Sequence, residues 1–350
     1  MNHIAHQYID RGTSHIITER FYGDRLVNFL YSSTREHTPW LFHALTSPYM
    51  SQLLGYWNYD SWLSTKIRGV EKFLEALKID LSECVDPPSS LDTPRKVFER
   101  KIRYWDCRPM AEASSSIASP ADACVLFGSF FESSLLFLKE KFFDFPDLFG
   151  HDKSEWQQAF TGGDYAIFRL TPDKYHYNHS PVSGTVRDLY EISGKYHSCN
   201  PGPVISVATP FSKNKRIVTI VDTDVPGGSG IGLVAMIEIV ALMIGTIVQC
   251  YSAEQYRRPQ DVTAGLFLQK GQPKSLYRPG SSTDVVIFQK NRIVPCQDLL
   301  TNMFRQDVLS RYSLGFGRPL VETNVKVRST IATAQHRSVT SEHHTDTDVE

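Results

Sequence analysis

Three short segments of this 350-residue chain carry side chains that together could do nucleophilic chemistry: Ser119-Pro-Ala-Asp122, Tyr175-His-Tyr-Asn-His-Ser-Pro181 and Arg278-Pro-Gly-Ser-Ser-Thr-Asp-Val-Val-Ile-Phe288. A carboxylate that orients one imidazole nitrogen leaves the other to take a hydroxyl proton, so an Asp, a His and a Ser held together turn the serine oxygen into a nucleophile. In a protease the electrophile is a substrate peptide. In a self-processing protein it is the serine's own upstream amide. Here a Gly/Ser turn runs straight into a β-branched strand, a context that can set a serine hydroxyl against its own preceding carbonyl. Attack there gives an ester, elimination gives dehydroalanine, and hydrolysis leaves a ketone-like carbonyl at a new amino terminus. Such a carbonyl is an electron sink for decarboxylation of an amine-bearing substrate.

Each residue also has an ordinary reading. A Gly-Ser-Ser sequence is common turn chemistry, and Asp122 fits the cap of a turn. His176 and His179 fit two satisfied histidines. As zinc ligands they lack a third partner at useful spacing, so no metal site is expected. Asn214 with Arg216 suits either a carboxylate or phosphate contact or a strand-edge pair. Glu238 reads as a buried acceptor for backbone or arginine donors, and His197 as structural.

The elements that must position these groups divide the chain into three stretches. Residues 1–110 read as a helical region, on apolar spacing such as Phe73-Leu-Glu-Ala-Leu-Lys-Ile79. Asp86–Pro94 reads as a loop, followed by a short helix over Arg95–Ile102 capped by Thr93 or Asp92, with Pro94 in its first turn. Residues 111–332 read as a β-rich catalytic domain. Its expected strands lie at Cys124, Tyr165–Leu170, Val204, Ile217–Asp222, Leu233–Val240, Val285–Phe288 and Val321–Val327, with a surface excursion over residues 295–318. Residues 333–350, including His343-His344, read as a disordered polar tail. The fold class is therefore α+β.

Bulk properties narrow the partners. A net charge of −1 offers no basic surface for nucleic acid. The six cysteines lack metal or disulfide-frame spacing. The amino terminus shows no apolar signal core, which implies cytoplasmic residence. The apolar run Ile231–Val248 has Glu238 at its middle and three glycines, which suits two buried strands with a bend better than a membrane span. Trp40, Phe42, Tyr49, Tyr56, Trp57 and Trp62 read as helical core, with an interfacial belt for peripheral membrane contact as the other reading.

Motifs spread over residues 8–332 resemble the phosphatidylserine decarboxylase family. They are Val97-Phe-Glu-Arg-Lys-Ile102 with Arg108-Pro109, Ser119–Asp122, Arg169–Pro181, Gly194–Pro201, Asn214 with Arg216, Lys270-Gly271 leading to Ser282-Thr283 and Phe288, and Glu322-Thr323. The resemblance implies a self-cleaving proenzyme with Asp122, His179 and Ser282 as the cleavage triad. It implies Ser282 as precursor of a covalent pyruvoyl cofactor, and His176 as the residue handling the decarboxylation proton. The large chain would be 1–281 and the small chain 282–350, and a homodimer is allowed. Ser281 stands where the family usually has glycine, so Gly280–Ser281 is the other cleavage position. Pro273, Ser275, Ala123, Val240 and Arg328 are further departures. The implied substrate is phosphatidylserine. A soluble decarboxylase of a free amino acid such as tryptophan is the alternative, and an uncleaved, non-catalytic binding paralogue is a third.

Overall fold

The computed structural model describes residues 5–19, 47, 74, 79–132, 134, 142–206, 209–241, 246–279 and 282–335. The expected helices between residues 20 and 78, the aromatic cluster from Trp40 to Trp62, the Gly280-Ser281 pair and the tail with His343-His344 lie outside these residues or nearly so.

Among the described residues sixteen strands carry the architecture: β1 (Gln7–Asp10), β2 (Ile16–Thr18), β3 (Ser116–Ala118), β4 (Ala123–Ser129), β5 (Asp164–Leu170), β6 (Tyr177–His179), β7 (Gly184–Ile192), β8 (Arg216–Asp222), β9 (Leu233–Val240), β10 (Ile247–Gln249), β11 (Phe267–Leu268), β12 (Pro273–Tyr277), β13 (Ser282–Phe288), β14 (Ile293–Pro295), β15 (Thr323–Val325) and β16 (Thr330–Ala334). Ten form one sheet in the order β11-β7-β8-β9-β13-β5-β4-β15-β1-β2, and two three-stranded sheets, β10-β12-β6 and β14-β16-β3, complete the set. Neighbours in the large sheet run antiparallel except β1 beside β15.

β13 lies near the centre. Ser282–Phe288 pairs residue for residue with Leu170–Asp164 on one side and with Val240–Val234 on the other. The strand is buried throughout, which explains why its run Val285-Val-Ile-Phe288 is apolar on both faces. The main core gathers around it, with Phe127, Ile167, Phe168, Val218, Ile237 and Val286 at or near zero exposure.

Several expectations hold and several fail for identifiable reasons. The helix after the proline loop runs Pro94–Phe98, with the Thr93 side chain accepting from the Lys96 amide at 3.2 Å; it stops four residues short of the expected Ile102. The apolar run Ile231–Val248 contains β9 and the first two residues of β10, which lie in different sheets. Among the described residues no helix is long and apolar enough to cross a membrane. The expected strand at Val204 is instead a helix, Pro201–Ser206. Pro201 and Pro203 lack amide donors, which a first helical turn tolerates and a ladder does not. The N-terminal stretch read as helical opens with β1 and β2. Pairing of β1 with β15 far along the chain decides that, because tertiary partners override weak local propensity. Residues 295–318 contain two short helices, Gln297–Met303 and Arg311–Phe316, and β16 continues into the stretch read as tail.

Candidate active site

β12 of the β10-β12-β6 sheet precedes β13 of the ten-stranded sheet in the chain. Ser282 is the first residue of β13, fully buried, and its Oγ has no hydrogen-bond partner among the described residues. β6 lies beside β12 and carries His179, whose ring stands in a defined setting. Nδ1 lies 2.8 Å from the Gly271 carbonyl oxygen, and Nε2 lies 2.9 Å from the Tyr175 hydroxyl. A carbonyl only accepts, so Nδ1 holds the proton and Nε2 is the basic nitrogen, receiving the Tyr175 O–H. Tyr175 in turn lies 2.6 Å from the Tyr256 hydroxyl. The Tyr104 ring meets the imidazole edge-on, with centroids 4.8 Å apart. Burial holds His179 down at about 3, so the ring is neutral at physiological pH.

Gly271 makes this possible through its backbone. Its φ is +75°, and a Cβ there would sit 2.3 Å from Met110 Sδ, so glycine alone turns the carbonyl toward His179 without strain. Backbone bonds clip the histidine segment on both sides: the His179 amide to the Pro120 carbonyl at 2.7 Å, and the Gly271 amide to the Ser180 carbonyl at 2.8 Å.

His176 sits beside the end of β12. Its carbonyl accepts from the Tyr277 amide at 3.1 Å, and its ring stacks on Phe98 with centroids 3.6 Å apart. Among the described residues both buried ring nitrogens lack a well-aligned partner. Burial, aided by the nearby Arg100 charge, lowers this histidine to about 3 as well.

Asp122 immediately precedes β4. Its carboxylate is not shared with His179. Arg108 takes both oxygens, with Nε to Oδ1 at 3.0 Å and Nη2 to Oδ2 at 2.7 Å, and the Val327 amide donates to Oδ1 at 2.7 Å. Burial alone would raise this carboxyl, but the Arg108 bonds and charge outweigh it and hold Asp122 below the usual carboxylate range. The His176 carbonyl thus meets Tyr277 at the end of β12, five residues before Ser282, whereas His179 stands opposite Pro273 at the other end of that strand. Asp122 reaches His179 through the backbone, two residues from the Pro120 carbonyl that holds it. Ser281 lies outside the described residues.

A family model for phosphatidylserine decarboxylase matches residues 95–304. The chain belongs to the phosphatidylserine decarboxylase family. Among relatives, a phosphatidylserine decarboxylase proenzyme of Fusobacterium nucleatum is 29% identical over 305 residues, covering 86% of this chain and 93% of that one. One from Photobacterium profundum is 31% identical over 233 residues, covering 63% and 77% respectively. Membership makes this chain a carboxy-lyase.

The other motif residues of this decarboxylase turn out to be structural. Arg216 donates to the carbonyls of Leu148, Asn214 and Asp147, and Asn214 bonds the His197 backbone and the Val240 carbonyl, so neither is a ligand site. Lys270 is spent on Ala111, Ala113 and Ser116. Arg328 holds a left-handed φ of 71° and donates to the Tyr104 and Arg108 carbonyls, a conformation glycine would adopt freely. His6, Glu19 and Glu322 lie close enough together to ligate a metal, but the Arg169 guanidinium bonds both carboxylates there. Sequence reasoning passed over Tyr175, Gly271 and Arg108 as functional groups. All three stand in motifs visible in the sequence, Tyr175 four residues before His179, Arg108 before Pro109 and Gly271 after Lys270, but no local pattern assigns them these partners.

Proposed function

We propose that this chain is a proenzyme that cuts itself between Ser281 and Ser282 and then decarboxylates phosphatidylserine. Family membership supports the reaction class. The observation that supports the cleavage reading is the Ser282 hydroxyl, buried at the head of β13 without a hydrogen-bond partner among the described residues; the neutral His179, with a basic Nε2, is the base this reading uses. For cleavage, His179 exchanges the Tyr175 hydroxyl for that of Ser282 and takes its proton. The serine oxygen attacks the Ser281 carbonyl carbon, the C–N bond breaks, and the proton passes to the departing nitrogen. Asp122 steadies this arrangement through the Pro120 backbone. The resulting ester still joins the two chains. Loss of the Ser282 α-proton then expels the Ser281 carboxylate, which leaves large chain 1–281 with a free carboxylate and small chain 282–350 headed by dehydroalanine. Water replaces its nitrogen as ammonia to give the pyruvoyl group.

The pyruvoyl group formed from Ser282 would supply the electron sink for loss of CO2. The residues present suit it: Ser282 is buried, and the buried, neutral ring of His176 would hold and return a proton. Work on a lipid headgroup brings the protein to the cytoplasmic face of a membrane.

Intact mass is the deciding measurement. We expect two chains, the smaller starting with a carbonyl in place of its amine. Ser282→Ala should abolish cleavage and Ser281→Ala should not. The reverse result moves the junction to Gly280–Ser281. His176→Leu should cleave yet release no CO2. Carbon dioxide from free tryptophan but not from phosphatidylserine would make the substrate an amino acid. Liposome sedimentation and native mass report the membrane contact and whether the unit is a homodimer.

A further inference from the structure

A second polar constellation surrounds the cleavage strand, distinct from the histidines. Glu238 on β9 stands directly opposite Asp284 on β13, and antiparallel partners project to the same face. Asp284 and Ser282, two residues apart, share that face as well. The Glu238 carboxylate accepts from Lys274 Nζ and Gln249 Nε2, both at 2.8 Å, from Asn178 Nδ2 at 3.3 Å and from the Ser275 hydroxyl. Tyr277 serves the other carboxyl group. Its hydroxyl lies 2.7 Å from Asp284 Oδ1 and 3.0 Å from the Thr283 carbonyl oxygen, and it accepts the Ile239 amide at 3.0 Å. Glu238, Lys274, Ser275, Tyr277 and Asp284 are all fully buried.

The hydrogens can be placed. Tyr277 has one hydroxyl proton and two oxygen neighbours that need one. Every contact is satisfied when the phenol donates to Thr283 and Asp284, as a neutral carboxylic acid, donates to the phenol oxygen. Charge agrees, since two carboxyl groups face the single ammonium of Lys274. Burial, with the Glu238 charge beside it, raises Asp284 well above the ordinary carboxylate range.

Chain order gives the cluster its meaning. Lys274, Ser275 and Tyr277 precede Gly280-Ser281, whereas Ser282, Thr283 and Asp284 follow. The Tyr277 phenol therefore spans the scissile junction. We propose that Tyr277 and Asp284 are positioning residues for self-cleavage, clasping the strand on either side of the Ser281–Ser282 peptide so that the serine hydroxyl is held against the carbonyl it attacks. This rests on the reading that Ser282 is the cleaving residue. The clasp makes and breaks no bond in that step. It restricts the freedom of Ser282, and loss of alignment at a reacting atom is costly even when the group lost is remote from the chemistry.

The test is a time course of cleavage in the full chain, followed on denaturing gels, with the unfolding midpoint of each variant measured alongside. Tyr277→Phe, which removes only the hydroxyl, should slow cleavage about tenfold. Asp284→Asn keeps a neutral donor for the phenol and should stay within about twofold of the native rate, whereas Asp284→Val should slow like Tyr277→Phe. Tyr190→Phe, which removes a phenol bonded to the Phe149 carbonyl elsewhere, should cleave normally. Should Tyr277→Phe not fold, the Asn and Val pair at position 284 decides alone. Native-rate cleavage by Tyr277→Phe, or equal rates for Asp284→Asn and Asp284→Val, overturns the clasp. A native chain that stays whole overturns the proposed function itself, and the clasp with it.

Discussion

His176 and His179 show what burial does to a single residue. Both rings are wholly enclosed and both titrate at about 3, against an ordinary 6.5. The unfolded chain gains these protons near pH 6.5, and the folded chain refuses them until far lower. Their contribution to stability is therefore complete above pH 6.5 and shrinks as pH falls toward 3, by about 1.4 kcal/mol per pH unit for each ring. Asp284 acts in the opposite sense, because its folded form keeps a proton that the unfolded form releases. Comparing variants isolates one ring. In urea titrations between pH 6.5 and 4.5, where the contribution of Glu322 (brought to about 2) is still complete and nearly constant, His176→Leu should lose stability with falling pH less steeply than the native chain. The slopes should differ by about 1.4 kcal/mol per pH unit. Equal slopes would mean that His176 is not held neutral. The types and positions of these histidines were legible in the sequence, but their neutrality was not, because burial depends on Phe98 and Tyr104 arriving from elsewhere in the chain.

At the scale of elements, Arg169 ties three strands together. It lies on β5, bonds Glu322 just before β15 through Nε at 2.9 Å and Nη2 at 2.6 Å, and reaches Glu19 just after β2 through Nη1 at 2.8 Å. His6 completes the group through Nε2, 2.8 Å from Glu322. Burial alone would raise Glu322; Arg169 and His6 bring it down instead. Arg169→Leu strands two carboxylates in the interior and should cost about 3–5 kcal/mol in chemical denaturation. A loss below about 1 kcal/mol would show that the carboxylates find other partners. The motif containing Arg169 was visible early, yet its partners 150 residues away were not, since no local spacing encodes a pairing between β5 and the two chain ends. The same limit explains Val204, where an apolar run looked like a strand while its flanking prolines favoured a first helical turn.

For the whole molecule, the central place of β13 decides what cleavage can do. The small chain would begin with that strand, which is hydrogen-bonded along seven residues to β9 and to β5, both in the large chain. β15 extends the same sheet, and β16 pairs with β3. Separating the two chains would open the core, so scission should leave the native mass and elution volume unchanged. The chains should part only in denaturant. Two species in native size-exclusion chromatography after cleavage would contradict this placement.

The sequence alone determined the chemical inventory and the family. Asp, His and Ser types, their order and their spacing are local facts, and the apolar runs around Tyr165, Ile217, Leu233 and Val285 announce strands by composition. Only the tertiary structure decided who touches whom. It gave Asp122 to Arg108, His179 to Gly271 and Tyr175, and Tyr277 to Asp284 across the junction. Such pairings depend on sheet order and burial, which arise from contacts between distant segments and leave no periodic trace in the chain.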